Sequence, residues 1–320
     1  MLDTIKILRA RLSQVADSQG LPLYDEREVR ALTDLLLEEV CGITRTDRLM
    51  HPERILTDDQ RNRLKEIIVQ MEQGIPVQQA LGYAWFYGAR FQVSPDVLIP
   101  RPETAELVDW IVDDVRSRRL SSRVVPDDEA TPLTICDIGT GSGCIAISLA
   151  RVIEGAKVLA IDVSEAALNI ARSNSCQQHV DNLQFAQIDI LSYVDNMDSS
   201  AKSTTRNNTF PQGYQHFDII VSNPPYVCRN EASAMSEIVL KHEPALALFV
   251  PDDDPLRFYR AIARFGQKHL NKGGSLYFEI NSAFGKATCQ QLEAMGYSNI
   301  KLRADVTGRD RMIKAVLNAT

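Results

Sequence analysis

The spacing of apolar residues divides the chain into two parts. From Leu2 to about Leu81 they recur every three or four positions, as in EVRALTDLLLEEV (28–40), with little of the alternation that strands show. This spacing is typical of amphipathic helices. The run TDDQ (57–60) has the Thr and Gln of a capped helix start. We therefore predict a small all-helical domain over residues 1–81. Its apolar stripes form a bundle core, and the same domain can also present a surface to a protein partner.

A short segment links this domain to the rest of the chain. In YAWFYGARFQVSPDVLIPRPET (83–104), aromatic and β-branched residues flank Gly88, and prolines follow. Such residues around a glycine predict a β-hairpin, and the prolines predict an extended stretch after it. We predict a hairpin connector over residues 82–103.

Strand and helix patterns alternate from residue 104 onward. Five strand-like runs are separated mainly by helical runs; they are LTICDIG, AKVLAID, LQFAQID, FDIIVSN and GSLYFEI. This alternation predicts an α/β domain over residues 104–320, with a mostly parallel sheet covered by helices. Two last strand patterns, NIKLRAD and RMIKAVL, are joined by VTGRD, which is too short to hold a helix. These two strands must therefore pair antiparallel.

Two polar stretches interrupt the pattern of this domain. The first, SRRLSSRVVPDDEATP (117–132), follows a helical run and predicts an exposed loop. The second lies between Asp195 and His216 and is rich in Ser, Thr and Asn. Its composition predicts a surface insertion.

Composition and charge exclude several classes of protein. The formal net charge of −7 argues against a protein that holds duplex nucleic acid through its phosphates. The six cysteines and five histidines are dispersed without a CxxC pair, which disfavours a zinc site or a disulfide framework. No apolar run approaches the ~18 residues of a membrane span, and the N-terminal residues do not form a secretory signal. We expect a cytoplasmic protein that needs no metal and has no membrane or direct nucleic-acid partner.

A glycine-rich run joins the first strand of the α/β domain to its helix. In DIGTGSG (137–143) the glycines follow a G-x-G-x-G spacing, which lets a ligand approach the backbone closely. The dinucleotide fingerprint is G-x-G-x-x-G, so a nucleoside without a pyrophosphate fits this run better. The alternative is that the glycines only serve a tight turn.

Two acidic residues close the next two strands. Asp162 follows VLAI, where a carboxylate can accept both hydroxyl groups of a ribose. Its alternative role is a helix N-cap, although Ser164 also offers a cap. Asp189 ends FAQID, where it can meet an adenine amino group while Ile190 lines the ring. The alternative for Asp189 is a plain turn at the end of the strand.

The run SNPPY (222–226) follows the apolar strand FDIIV directly. Two prolines end sheet pairing and hold the backbone extended, so this run is a rigid stop at a strand's carboxyl end. Asn223 offers a side-chain carbonyl and Pro224 a main-chain carbonyl, and together they can accept both protons of a planar NH₂ group. Pro225 and Tyr226 supply flat apolar surface beside it. The run therefore predicts a clamp for an amide-like nitrogen, the alternative being a structural turn.

Together these residues resemble a known family. They are similar to class I S-adenosylmethionine-dependent methyltransferases, and among them to the HemK/PrmC glutamine methyltransferases of peptide chain release factors. The similarity is carried by LGYAWFYGARFQVSPDVLIPRPET, DIGTGSGCIAISLA, SNPPYV and EPALAL (243–248). NPPY by itself is shared with methyltransferases of adenine and cytosine amino groups, so the connector and the helical domain are the more specific part.

The resemblance implies a fold, a cofactor, a substrate and a set of site residues. The fold is a Rossmann-like class I methyltransferase domain, α/β, with a mostly parallel seven-stranded sheet and an antiparallel last strand, behind a small N-terminal helical domain that recognises release factors. The reaction methylates the glutamine of the Gly-Gly-Gln motif in class 1 release factors, giving N(5)-methylglutamine and S-adenosylhomocysteine. The implied cofactor residues are Gly139, Thr140, Gly141, Ser142, Gly143, Asp162, Ile190 and Asn223. The implied substrate residues are Asn223, Pro224, Pro225 and Tyr226, of which Asn223, Pro224 and Tyr226 are catalytic.

Three other functions remain compatible with these residues. One is a glutamine methyltransferase that acts on a ribosomal protein. Another is a methyltransferase of nucleic-acid bases, against which the net acidity and the helical domain weigh. The last is a cofactor-binding scaffold without turnover, which the complete NPPY run disfavours.

Overall fold

The computed structural model describes residues 2–122, 132–197 and 210–318. The chain divides into two compact units. The helical unit comprises Met1–Tyr83 together with Met235–His242, and the sheet unit comprises Ala84–Ala234 together with Glu243–Thr320. No helix among the described residues is long and apolar enough to cross a membrane.

The elements follow one another in a regular order. The first five helices are α1 (Leu2–Leu12), α2 (Glu26–Cys41), α3 (Arg45–Met50), α4 (Asp58–Glu72) and α5 (Val77–Leu81). After them come β1 (Tyr83–Phe86), β2 (Ala89–Gln92), α6 (Pro102–Ser122), β3 (Thr134–Ile138), α7 (Cys144–Val152), β4 (Lys157–Asp162), α8 (Glu165–Gln177), β5 (Leu183–Gln187), α9 (Ile190–Met197), β6 (Phe217–Ser222), β7 (Val227–Cys228), α10 (Glu237–His242), α11 (Ala245–Leu248), β8 (Phe249–Val250), α12 (Arg257–His269), β9 (Leu270–Glu279), α13 (Gly285–Ala294), β10 (Tyr297–Ala304) and β11 (Asp310–Leu317).

The helical unit is built as the apolar spacing predicts. Its helices bury a common core that includes Leu12, Leu36 and Ile67. Three helices begin with a capping box. In this motif the N-cap residue, which precedes the helix, and the residue three positions later accept hydrogen bonds from each other's backbone N–H groups. One of these boxes joins Thr57 to Gln60 at the start of α4, which confirms the capped start predicted there.

A segment from the second half of the chain completes the helical unit. Glu237 of α10 accepts a hydrogen bond from the backbone N–H of Ser18 at 2.8 Å. The backbone carbonyl of His242 accepts one from Gln79 at 2.8 Å, and Ile238 packs against the core of the unit. The chain therefore returns to the helical unit shortly after the NPPY run, which its sequence pattern does not predict.

The sheet unit contains the predicted seven-stranded sheet. Its strand order is β10-β11-β9-β6-β3-β4-β5. The strands β9, β6, β3, β4 and β5 are parallel, whereas β11 pairs antiparallel with both β9 and β10. The hairpin predicted around Gly88 is also present, as the two-stranded sheet β1-β2. These observations confirm the predicted α/β fold.

Apolar strand residues of the sheet point alternately to two covered faces. In β3, Ile135 packs into a core cluster with α6 and α7, while its neighbour Cys136 packs into a second cluster with α12. The same alternation separates Ile219 from Ile220 in β6. Burial on both faces explains why the strands read as continuous apolar runs.

The two polar stretches have different outcomes. The helix α6 continues through Ser122, so the prediction of a loop from residue 117 is wrong for its first residues. The reason is that Arg and Leu at 118–120 are good helix formers and no proline occurs before Pro126. The rest of that stretch, 123–131, and most of the predicted insertion, 198–209, lie outside the described residues.

Candidate active site

A cleft of the sheet unit opens at the carboxyl ends of four neighbouring strands. The chain places β4 and β5 on one side of β3 and then returns to place β6 on the other side. The order of strands therefore reverses between β3 and β6, where open α/β sheets bind ligands. The cleft is lined by backbone and side chains of residues 96–98, 100, 101, 104, 138–142, 144, 145, 162–164, 167, 188–190, 222–225, 244, 246, 247, 258 and 262.

The glycine loop between β3 and α7 contains two kinds of glycine. Gly139 and Gly141 have φ of +72° and +56°, and a Cβ on either would meet nothing within 4 Å. A Cβ on Gly143, at φ +82°, would instead lie 2.9 Å from Ile147 Cδ1 and 3.1 Å from Ala171 Cβ. The first two glycines thus leave open space beside the cleft. The third lies outside the cleft lining and lets α7 and α8 pack closely.

Polar atoms beside this loop lack partners. Asp137 is fully buried, and its Oδ2 accepts hydrogen bonds from Thr140 Oγ1 at 2.7 Å and from the Ala146 N–H at 3.2 Å. Its Oδ1 and the Oγ of Ser142 have no hydrogen-bond partner among the described residues. Burial, with the nearby charge of Asp162, raises the pKa of Asp137 to about 7, although its two hydrogen bonds oppose the shift. Ser142 lines the cleft, so a polar ligand at the loop would satisfy its hydroxyl.

Asp162 lies at the end of β4 and lines the cleft. Its Oδ2 accepts the Gly141 N–H at 2.9 Å, and its Oδ1 accepts the Ser164 N–H at 2.9 Å. Burial raises the pKa of Asp162, and its backbone hydrogen bonds oppose that shift. The N-cap of α8 is Ser164, whose hydroxyl accepts the Ala167 N–H, so Asp162 does not have that role. Each carboxylate oxygen keeps acceptor capacity for a ligand.

Asp189 and Ile190 line the cleft where β5 ends. The carboxylate of Asp189 accepts the Leu191 N–H at 3.0 Å and the Ser192 hydroxyl at 2.6 Å, so this residue stabilises the first turn of α9. Ile190 is buried and offers apolar surface. The turn role considered for Asp189 is therefore present, and it coexists with a position in the cleft wall.

The NPPY run begins where β6 ends. Ser222, the last residue of β6, donates a hydrogen bond to the Ile138 carbonyl at 2.6 Å and so ties the run to the glycine loop. Asn223, Pro224 and Pro225 line the cleft. Tyr226 lies outside the lining, and its hydroxyl donates to Glu279 at 3.1 Å. Burial and the charge of Glu279 raise the pKa of Tyr226, which keeps the phenol protonated.

Two chain segments that the sequence pattern did not assign form another wall of the cleft. Residues 96–98, 100 and 101 of the connector line it together with residues 244, 246 and 247. Glu243 is buried and joins the two segments, because it accepts the Ile99 N–H at 3.2 Å and pairs with Arg101 at 2.6 Å. The prolines of the connector signal rigidity, but they give no indication of which segment it contacts.

Thr104 and Glu279 are two further polar residues that sequence reasoning missed. Thr104 is in the first turn of α6 and lines the cleft, whereas Glu279 is the last residue of β9. The Thr104 hydroxyl donates to Glu279 Oε2 at 2.6 Å, and Asn223 Nδ2 donates to the Thr104 oxygen at 3.3 Å. The available signal was a carboxylate at the end of the otherwise apolar run GSLYFEI.

Among residues 2–122, 132–197 and 210–318, no group of three or more His, Cys, Asp or Glu side chains is arranged to hold a metal ion.

The strand order and this cleft define a class I methyltransferase domain. A family model described as a methyltransferase domain matches residues 131–277, and one described as the PrmC N-terminal domain matches residues 23–82. The catalytic domain of hMettl16 in complex with MAT2A 3'UTR hairpin 6 has a similar fold, with TM-score 0.50, 15% identity and 82% of each chain covered.

Two curated relatives extend the similarity over most of the chain. A release factor glutamine methyltransferase of Bacteroides thetaiotaomicron is 42% identical over 92% of this chain and 94% of that protein. A second protein of that name, from Flavobacterium psychrophilum, is 40% identical over 91% and 93%. The chain therefore belongs to the release factor glutamine methyltransferase family.

Proposed function

We propose that this protein transfers a methyl group from S-adenosylmethionine to the side-chain amide nitrogen of the glutamine in the Gly-Gly-Gln motif of class 1 release factors. The C–S bond of the sulfonium breaks as the N–C bond forms, and the products are N(5)-methylglutamine, S-adenosylhomocysteine and the proton lost from the amide nitrogen. The observation that carries the proposal is the position of the Asn223 amide, which lines the same cleft as the glycine loop. Family membership favours a release factor as the acceptor over a ribosomal protein or a nucleic-acid base. Such an acceptor also implies a cytoplasmic reaction.

The residues of the cleft fit the cofactor. When bound, S-adenosylmethionine supplies an electrophilic methyl group. We assign its binding to Gly139, Thr140, Gly141, Ser142, Gly143, Asp162, Ile190 and Asn223, with Gly143 acting through the packing that shapes the loop. The open space over Gly139 and Gly141 and the unpartnered hydroxyl of Ser142 support a polar ligand there. The carboxylate of Asp162 accepts the ribose hydroxyl groups.

The NPPY run handles the acceptor amide. An amide nitrogen is a weak nucleophile because its lone pair is delocalised onto the carbonyl. Asn223 Oδ1 and the Pro224 carbonyl accept its two protons, which orients the nitrogen and stabilises the positive charge that develops on it. Pro225 gives the planar amide a flat apolar surface. Tyr226, which lies outside the cleft lining, instead supports the run through its hydrogen bond to Glu279. No Ser, Cys or His nucleophile is required.

The helical unit contributes recognition of the intact release factor. Among the side chains of this unit that the structure describes, the three most exposed large apolar ones belong to α3 and the segment after it: Leu49 is 77% exposed, Met50 69% and Ile55 80%. Apolar side chains grouped on a surface are typical of protein contacts. A short Gly-Gly-Gln peptide lacks the folded surface that these side chains would contact, so intact release factor should be the better acceptor.

One acceptor panel tests the proposal. Purified release factor, a ribosomal protein and an oligonucleotide are each incubated with the enzyme and S-adenosylmethionine, and methylation is located by mass spectrometry. We expect one methyl group on the Gly-Gly-Gln glutamine of the release factor alone. Methylation of only the ribosomal protein or the oligonucleotide would overturn the proposed acceptor.

The role of the helical unit is tested with Leu49→Asp and Ile55→Asp. Each should raise KM for intact release factor by about 5–10-fold, the scale of 1 kcal/mol or slightly more for one contact residue. Each should leave the kinetics on a short Gly-Gly-Gln peptide unchanged. If both variants showed wild-type kinetics with intact release factor as well as with the peptide, these residues would have no role in recognition.

A further inference from the structure

A buried carboxylate outside the cleft is linked to both ends of the NPPY run, directly to Tyr226 and through Thr104 to Asn223. Glu279 is 1% exposed and lies at the end of β9, the strand next to β6. Its Oε1 accepts the Tyr226 hydroxyl at 3.1 Å, and its Oε2 accepts the Thr104 hydroxyl at 2.6 Å. Thr104, 2% exposed, in turn receives Asn223 Nδ2 at 3.3 Å. A chain of hydrogen bonds thus runs from Glu279 through Thr104 to the side-chain amide of Asn223. We call this chain the relay.

The direction of each hydrogen bond in this chain is fixed by its carboxylate end. An ionised carboxylate can only accept hydrogen bonds, so the hydroxyl proton of Thr104 must point to Glu279. The Thr104 oxygen then has only lone pairs left for Asn223, which must present its NH₂ group to it. The Asn223 Oδ1 is left for the cleft, and no donor among the described residues reaches it.

We propose that Glu279 and Thr104 are positioning residues. They set which end of the Asn223 amide faces the substrate side chain, and so they select a glutamine NH₂ group over a carboxylate. This inference rests on the proposed role of Asn223 as the acceptor of the substrate's amide protons. If the carboxylate of Glu279 is replaced by a group that can donate, the Thr104 proton is free to turn towards Asn223. The Asn223 amide can then rotate and present Nδ2, a donor, to the cleft.

The first test uses Thr104, where two substitutions separate the hydroxyl from its shape. Thr104→Val keeps the volume and removes the hydroxyl, whereas Thr104→Ser keeps the hydroxyl. We expect single-turnover methylation at saturating S-adenosylmethionine to fall about tenfold or more in Thr104→Val and to stay within a few-fold of wild type in Thr104→Ser. Calorimetric affinity for S-adenosylmethionine is measured for both variants, so that their rates are compared at true saturation. Equal rates in Val and Ser variants that bind the cofactor normally would overturn the relay.

The second test measures selectivity by binding alone. Two release factors are compared, one with its native Gly-Gly-Gln and one with Gly-Gly-Glu, whose carboxylate can only accept hydrogen bonds. Wild-type enzyme should prefer the glutamine form, and in Glu279→Gln the ratio of the two dissociation constants should shrink about tenfold or more. Glu293→Gln makes the same change on the exposed side of α13 and should leave the ratio unchanged. An unchanged ratio in Glu279→Gln would contradict the relay.

A measurement without any acceptor separates this inference from the proposed function. The side-chain NH₂ of Asn223 is observed by NMR in protein carrying ¹⁵N only in asparagine, with Asn223→Asp used for assignment. Its signal should shift in Thr104→Val and in Glu279→Gln, and it should stay near the wild-type position in Thr104→Ser. An Asn223 signal that is the same in all four proteins would overturn the relay even if release factor is methylated. A shifted signal with no methylation of release factor would support the relay and contradict the function.

Discussion

The two halves of the cleft are held in place in different ways. In the glycine-loop half, partners are close in the sequence or backbone groups: Thr140 bonds to Asp137, and Asp162 accepts the N–H groups of Gly141 and Ser164. In the NPPY half, the supporting groups are side chains from distant segments. Asn223 and Thr104 are 119 residues apart, and Tyr226 and Glu279 are 53 residues apart.

This difference predicts different consequences of substitution. Backbone donors remain when a side chain changes, so substitutions in the glycine-loop half should act mainly on cofactor affinity or on stability. The NPPY half depends on the direction of a few side-chain hydrogen bonds, so substitutions there should act mainly on turnover.

The largest effect is expected at Asn223. Asn223→Ala removes the acceptor for the substrate's amide protons and should lower kcat by about 10²–10³-fold, the scale for one preorganised charge-stabilising group. Asn223→Asp keeps an acceptor in the same place and should retain more activity than the Ala variant. Turnover is measured at saturating donor and acceptor, so that chemistry is separated from binding. A near-normal single-turnover rate in a folded Ala variant would leave the NPPY run with only a structural role.

Asp162 should instead affect affinity. Asp162→Ala removes a charge-assisted acceptor for the ribose and should weaken S-adenosylmethionine binding by about 1.5–3 kcal/mol, measured by calorimetry. At saturating cofactor, its kcat should stay close to that of wild type. Asp181→Ala removes a carboxylate from an exposed position before β5 and is the matched control for net charge. Unchanged affinity in Asp162→Ala would remove this residue from the cofactor site.

Within the glycine loop, Gly143 should matter for packing. A Cβ there meets Ile147 and Ala171, whereas Gly155, also at positive φ (+72°), has nothing within 4 Å of its Cβ position. Both alanine variants pay for the left-handed backbone, so the difference between them reports the overpacking alone. Gly143→Ala should lose about 1–3 kcal/mol more free energy of unfolding in urea than Gly155→Ala. Equal losses would show that α7 and α8 adjust without cost.

The difference between the halves also explains what the sequence could predict. Strand ends such as Asp162 and the NPPY run follow local apolar patterns, and the order of strands and helices places them at one edge of the sheet. The contact between Thr104 and Glu279 could not be predicted, because it depends on β9 lying beside β6 and on the position of the first turn of α6. No local pattern encodes either.

The same limit applies to the segment that joins the helical unit. The pattern from 235 to 242 is too short to indicate where it packs, and the structure joins it to the core of the first 83 residues. The end of α6 was predicted too early for another reason. The residues after 117 are polar, and polarity alone does not separate an exposed helix from a loop.

The smallest effect is a pH dependence that arises in the NPPY half. Burial raises the pKa of Glu279, and the charge of Glu103 adds to this shift. The hydrogen bonds from Thr104 and Tyr226 and the charge of Arg311 oppose it. Tyr259 and Cys144 also face this carboxylate, and burial keeps both protonated.

The relay needs Glu279 ionised, because a protonated carboxyl could donate to Thr104. Turnover at saturating cofactor should therefore fall as the pH decreases through this raised pKa, above the usual range of a glutamate.

Glu279→Gln should lose this acid limb, since it has no group that titrates at that position. Asp137, with a pKa of about 7, and Asp162, with a raised pKa, titrate in the glycine-loop half, where they should change cofactor affinity. Saturating S-adenosylmethionine at each pH removes their contribution, and the affinity measured separately reports it. If the acid limb of turnover persisted unchanged in Glu279→Gln, it would arise from another group, and the NPPY half would not depend on the charge of Glu279.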